Sequence, residues 1–188
     1  ENPYPPGPKV REVLSPEAVA QLALYPDPEC TDLLKAAASV YGLTKEQVVA
    51  GNGSDELLAF CFQAFCSQGV VMSDLSYGFY PVFAALYGVA VESVPLRGDF
   101  TLNVLDYAGK QGTVIIANPN APTGLCLPLS DLRTLVEQDR DRLVIVDEAY
   151  ADFSPVTALP LLREYDNLLI IRTLSKSYAL AGARLGLA

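Results

Sequence analysis

Five short apolar runs rich in β-branched residues are spaced along the chain: GVVMSD (69–74), VAVESVPL (89–96), TVIIAN (113–118), RLVIVDE (142–148) and NLLIIRT (167–173). Strands of a parallel sheet are covered on both faces, and near-continuous apolar runs of this length are what they require. Segments with helical spacing fall between them, TDLLKAAASVYG (31–42), SDELLAFCFQAF (54–65), YPVFAALYG (80–88) and SDLRTLVEQD (130–139). Ser54, and either Thr31 or Asp32, are the expected N-caps, because their side-chain oxygens accept the free amides of a first turn. The last of these helices is expected to start at Ser130, and Gly88 is the expected stop of the one before it. Strands alternating with helices read as βαβ units, so the expected fold class is α/β with a mostly parallel sheet. The Pro-rich opening ENPYPPGPK (1–9) is expected to be an extended arm, since proline fixes φ and removes a donor. An Ala/Gly-rich helix is expected after Lys176.

Composition narrows the chemistry. The 188 residues suffice for one core, and half of them are apolar, with no run of about 18 or more that would span a membrane. The expectation is a soluble protein. Thirteen basic against 22 acidic residues leave a net charge of −9, which argues against a nucleic-acid partner. There is no histidine, so catalytic schemes that need an imidazole base are excluded. Cys30, Cys61, Cys66 and Cys126 lack CxxC spacing and sit in apolar or helical settings, so buried free thiols in a reducing cytoplasmic setting are expected. The chain opens without methionine and stops after the apolar RLGLA, so both ends read as cut.

Four motifs fall where strands end and helices begin, the place where such sheets collect ligands. GNGSDE (51–56) permits a tight turn into a helix whose first amides suit a phosphate, although the same letters serve as a plain capping turn. NPNAPTG (118–124) is a rigid loop that would hold the amides of Asn118 and Asn120 in place. VIVDEAY (144–150) brings Asp147 to the end of an apolar strand, where a carboxylate needs a cation, a metal, or donors. Adjacent strand residues point to opposite faces, so Asp147 and Glu148 are not expected to chelate a metal together, and no metal is expected. The fourth motif, RTLSKSYALAGARLG (172–186), gathers Ser175, Lys176 and Arg184 around one strand end. Such a lysine is either a solvated surface group or, once desolvated among cations, a nucleophile toward carbonyls. One ligand uses all four motifs, combining a phosphate, a ring nitrogen, a phenolic oxygen and an aldehyde: pyridoxal 5′-phosphate.

Together with ENPYPPGP and YPDPEC, these motifs resemble the large domain of the fold-type I aminotransferases, and within them the histidinol-phosphate aminotransferase family. The resemblance spans the chain. It implies a three-layer α/β/α large domain, with residues 1–24 as arm and start of the first helical segment and 25–188 as the cofactor-binding domain. A small C-terminal domain, which in the family carries the arginine for the substrate, lies outside this chain, so the chain alone is expected to be inactive.

The resemblance also implies roles. Lys176 is the lysine that bonds the cofactor aldehyde and moves the substrate proton, and Asp147 the partner of the ring nitrogen. Ser175 and Arg184, with the backbone amides of Ser54 and Asp55, hold the phosphate. Tyr77 stacks on the ring, Tyr150 meets the phenolic oxygen, and Asn120, with Asn118 as fallback, supplies the amide to that oxygen. Tyr25 is expected to reach the partner subunit's cofactor phosphate and Tyr4 the substrate side, in a homodimer with shared active sites. The implied substrates are a small amino acid or amino phosphate and a 2-oxo acid, foremost histidinol phosphate and 2-oxoglutarate. Aromatic amino acid aminotransferase, threonine-phosphate decarboxylase and a non-catalytic ligand-sensing domain are the alternatives.

Overall fold

The computed structural model describes residues 2–188, so Glu1 of the expected arm lies outside the described residues. The five apolar runs form the five parallel strands, trimmed at their ends. With elements numbered in chain order they are β2 (Val70–Ser73), β3 (Val91–Val94), β4 (Thr113–Ala117), β5 (Val144–Asp147) and β6 (Leu168–Thr173). Two further strands, β1 (Ala50–Asn52) and β7 (Leu185–Leu187), escape the sequence reading. They complete a seven-stranded sheet of order β1-β7-β6-β5-β4-β2-β3, in which β7 runs antiparallel to both β1 and β6.

The expected helix after Lys176 does not form. Ala181–Ala183 makes a single 3-10 turn, Arg184 turns into the left-handed region at φ 52, and the chain enters β7. The reason is tertiary. A Cβ at Gly186 would lie 2.4 Å from the carbonyl carbon of Gly53, so glycine lets β7 pass against the turn that starts the distant helix Ser54–Phe65. Pairing with β1 and β6 then outweighs the local helical preference of the alanines.

The helices are α1 (Pro8–Val13), α2 (Pro16–Ala20), α3 (Thr31–Tyr41), α4 (Ser54–Phe65), α5 (Tyr80–Tyr87) and α6 (Leu129–Glu137). The arm is thus helical from Pro8 onward rather than extended to Lys9, because a proline in the first turn gives up a donor that would be unpaired anyway. Capping also differs from expectation. Cys30 occupies the N-cap of α3, and the amide of Thr31 is accepted from upstream by Asp27 Oδ2 at 2.8 Å. Gly53, not Ser54, caps α4, while Glu56 reaches back to accept the amide of Asn52 at 2.7 Å. α6 starts at Leu129 behind Pro128, one residue earlier than expected.

Two apolar layers enclose the sheet. Leu58 and Phe62 of α4 and Tyr80 and Phe83 of α5 pack on Ile115, Ile145 and Ile171. On the other face, Leu132, Leu135 and Val136 of α6 pack on Val114, Val144 and Val146. Each fully buried Leu or Ile contributes about 1.5–3 kcal/mol, which locks the register, since a one-residue slip of β5 would turn Asp147 to the wrong face. By this alternation Asp147 shares the α4/α5 side with Ile145, and Glu148 faces the α6 side. Cys61 and Cys66 are buried, and burial pushes their thiols up to about 12 and about 11. Cys30 and Cys126 are free but exposed, contrary to expectation. Among the described residues no helix is long and apolar enough to cross a membrane.

Candidate active site

The carboxyl ends of β4, β5 and β6 and the N-terminus of α4 surround a cavity of about 230 Å³. A groove of about 720 Å³ lies at the opposite ends of β5 and β6, but its walls include Val49, Leu143 and Leu169 and it holds no lysine. Volume therefore does not choose the site; convergent chemistry does.

At the base of the smaller cavity stands Asp147, 4% exposed. Burial holds its carboxyl above the usual carboxylate range, opposed by the hydroxyl of Tyr80, which donates at 2.7 Å, and by the amide of Ala149 at 3.0 Å. The nearby Asp55 carboxylate adds to the upward push and the Lys176 ammonium works against it. A buried acid that keeps two donors and faces a cavity is suited to a cationic partner.

Lys176 lies three residues beyond β6 and also lines the cavity, with its Nζ 5.4 Å from the ring centroid of Tyr150. Its carbonyl accepts the Asn2 side-chain amide at 3.0 Å, so the arm touches the lysine's own loop. Ser54 and Asp55, which open α4, line the cavity together with Ser175 and Arg184. Helix amides, a serine pair and a guanidinium make an anion cradle. Ser175 is oriented by Thr173, whose Oγ1 accepts the Ser175 amide at 3.2 Å and whose hydroxyl donates to Ser175 Oγ at 2.9 Å. The Asp55 side chain is taken up elsewhere, accepting the Tyr77 hydroxyl at 3.0 Å and lying 4.0 Å from Arg184. Burial, followed by that bond to Asp55, raises the Tyr77 phenol to about 12.

Not every expected residue reaches the cavity. Asn120 accepts the Ser76 hydroxyl at 3.0 Å and donates to the carbonyl of Leu75 at 3.0 Å, bracing the loop that leads to Tyr77. Asn118 is held by the Leu127 backbone, whose amide it accepts at 2.7 Å. Pro119 and Ala121 line the cavity in their place. Tyr4 and Tyr25 are exposed and stand away from it, as does the apolar surface of α2 and the turn after it, including Val19, Leu22 and Leu24. Sequence reasoning missed Tyr80 and Thr173. Tyr80 is brought beside Tyr77 by the turn that leads into α5, where its amide donates to the Tyr77 carbonyl at 3.2 Å.

Pyridoxal phosphate fits this donor set: an anion cradle at one end, a buried carboxylate for a ring cation, an aromatic face at Tyr77 and an amine at Lys176. The aminotransferase class I and II model matches residues 1–188. A histidinol-phosphate aminotransferase of Clostridium botulinum (strain 657 / Type Ba4) is 48% identical, covering 100% of this chain and 54% of that protein. Histidinol-phosphate aminotransferase 1 of Methylococcus capsulatus is 49% identical, covering 100% of this chain and 53% of its own length. The crystal structure of histidinol-phosphate aminotransferase from Sinorhizobium meliloti in complex with pyridoxal-5′-phosphate aligns at a TM-score of 0.91 and 29% identity, covering 100% of this chain and 53% of that one. The chain spans about half the length of the curated relatives it matches. A family match running from the first residue to the last, on a fold shared with those enzymes, places the chain in the aminotransferase class I and II family.

Proposed function

We propose that the full-length protein is a pyridoxal-phosphate-dependent aminotransferase that moves an amino group between histidinol phosphate and 2-oxoglutarate, working in the cytoplasm as a homodimer. The observation that carries the reading is the meeting of Lys176 and the buried Asp147 on one cavity with an anion cradle at its end. The substrate pair comes from the relatives' names, and the activity is proposed for the whole protein because the chain spans about half of those relatives. Residues 25–188 form the cofactor-binding domain in this reading, and 1–24 the arm.

Bound here, the cofactor supplies an aldehyde for the amino group and a ring that accepts electrons. Ser54, Ser175, Arg184 and the first amides of α4 bind its phosphate, and Tyr77 covers the ring. Asp147 keeps the proton on the ring nitrogen, which a neutral environment would release. The Lys176 amine would take the proton from the substrate Cα and hold it for later return as general acid, the role that histidine plays in other enzymes and that this chain has no histidine to fill. Tyr150 donates to the phenolic oxygen. Asn120 joins it only by releasing Leu75 and Ser76, to which its amide is committed.

The test uses full-length protein loaded with pyridoxal phosphate. Borohydride is expected to fix the cofactor on Lys176, read by peptide mass spectrometry, and glutamate is expected to form from histidinol phosphate and 2-oxoglutarate. An adduct on Lys9, Lys35, Lys45 or Lys110 overturns the site. Turnover of aromatic amino acids alone, or carbon dioxide release from threonine phosphate, overturns the substrate.

A further inference from the structure

On the face of the sheet away from the cavity, a row of charged groups runs from β5 to the loop that carries Lys176. Glu148 follows Asp147 and points the opposite way. Its side chain is 0% exposed, accepts the Thr157 hydroxyl at 2.8 Å and the Ala158 amide at 2.5 Å, and pairs with Arg172 Nε at 3.3 Å. Arg172 of β6, whose side chain is 13% exposed, extends Nη2 to Asp152 Oδ1 at 3.2 Å and lies 5.1 Å from the Tyr41 ring centroid. The second oxygen of Asp152 accepts the hydroxyl of Ser177, the residue after Lys176. None of these four lines the cofactor cavity.

A buried ion pair adds little net stability, because desolvating both charges offsets their attraction. This one is extended, end to end, to the neighbour of the reactive lysine. The lysine's loop needs such a tether. Among the described residues the amides of Lys176, Ser177 and Tyr178 donate to no backbone carbonyl, and Ala179 is held at φ 56, a left-handed conformation that costs a non-glycine residue about 1–2 kcal/mol. Released, the loop relaxes away from the geometry seen here. Resting on the reading of Lys176 as the proton-carrying lysine, we propose that Glu148, Arg172, Asp152 and Ser177 are positioning residues that fix the Lys176 loop relative to Asp147. Asp147 ends β5 and Glu148 directly follows it, so one strand end sets the ring's partner on one face and the lysine's anchor on the other.

Ser177→Ala and Asp152→Ala test this without disturbing the core, since Asp152 is 33% exposed and Ser177 lies near the surface. In cofactor-free full-length protein, hydrogen exchange of a peptide covering 174–180 is expected to quicken at least about fivefold in each variant, with the β5 peptide unchanged. In loaded enzyme kcat is expected to fall about ten- to a hundredfold, with KM for both substrates within about twofold. The double variant is expected to be no slower than the slower single one, because both substitutions cut the same tether. Ser177→Thr, which keeps the hydroxyl, is expected to stay near wild type in exchange and rate. Unchanged exchange at 174–180 in either alanine variant overturns the proposal, as do rate losses that multiply in the double variant. Exchange is read without cofactor or substrate, so its result stands apart from whether the aminotransferase reading holds.

Discussion

The phenol of Tyr80 and the carboxylate of Asp147 meet at 2.7 Å with both residues buried. Burial favours the protonated acid, and the Tyr80 hydrogen bond favours the ionised one. Tyr80→Phe removes that donor from a buried charge, which costs about 1–3 kcal/mol. The sign with pH follows from the direction of the shift. Asp147 already titrates above the usual carboxylate range when folded, and the variant moves it further up, so the stability deficit is small in acid and grows as pH rises through the folded pKa. Denaturant unfolding at a series of pH values checks this, and a deficit that is flat with pH would show that Asp147 does not ionise in the fold.

Asp147→Asn retains the shape of the side chain and removes its charge. In full-length enzyme the expected loss is at least about a hundredfold in kcat/KM, equivalent to about 3 kcal/mol of electrostatic stabilisation. Circular dichroism is expected to be unchanged, since the Asn oxygen still accepts the Ala149 amide while its NH2 donates to the Tyr80 hydroxyl, which in the parent donates to the other Asp147 oxygen. Near wild-type rates would reduce Asp147 to a structural acceptor.

Gly186 and Gly53 bring β7 and the start of α4 into backbone contact behind the anion cradle. Gly186→Ala places a Cβ 2.4 Å from the Gly53 carbonyl carbon and 2.5 Å from the Ser54 nitrogen, with no flexible side chain to yield. The expected cost is about 1–3 kcal/mol in stability, together with weaker cofactor binding as Ser54 is displaced. Gly182→Ala, with nothing within 4 Å of its Cβ, is the control and is expected to stay within about 0.5 kcal/mol. Calorimetry and cofactor titration of the two variants read both effects; equal behaviour would show that the β7–α4 contact does not shape the cradle.

Tyr25 is fully exposed here and stands away from its own chain's cavity. If it completes the site of a second copy, mixing full-length Lys176→Ala and Tyr25→Ala subunits restores activity, because one site of the heterodimer collects both lesions and the other collects neither. Native mass spectrometry confirms the exchange of subunits. Mixtures that exchange yet never exceed the sum of the parents would leave Tyr25 a surface residue.

Local patterns were readable from sequence where the physics is local. Strands β2, β4, β5 and β6 announce themselves as apolar runs because both their faces are covered, whereas the edge strand β3 buries only Val94; Asp147 and Lys176 stand out because a charge beside such a run needs a reason. Strands β1 and β7 are three residues each, too short to carry a period, and they exist only because the chain after Lys176 returns to pair with distant segments. The same return removed the helix that Ala181 and Ala183 suggest locally. Residue type identified Asn118 and Asn120 as fixed amides, but their targets, Leu127 for one and Leu75 and Ser76 for the other, were decided by loop packing. The bond between Tyr80 and Asp147 joins residues 67 apart in sequence, and the tether from Glu148 to Ser177 crosses two strands and a turn. Composition and spacing determined which chemical groups this protein owns and the strand ends they stand on. Which of those groups face one another, and across which face of the sheet, was decided by strand register and by close backbone approach, quantities that no short stretch of sequence contains.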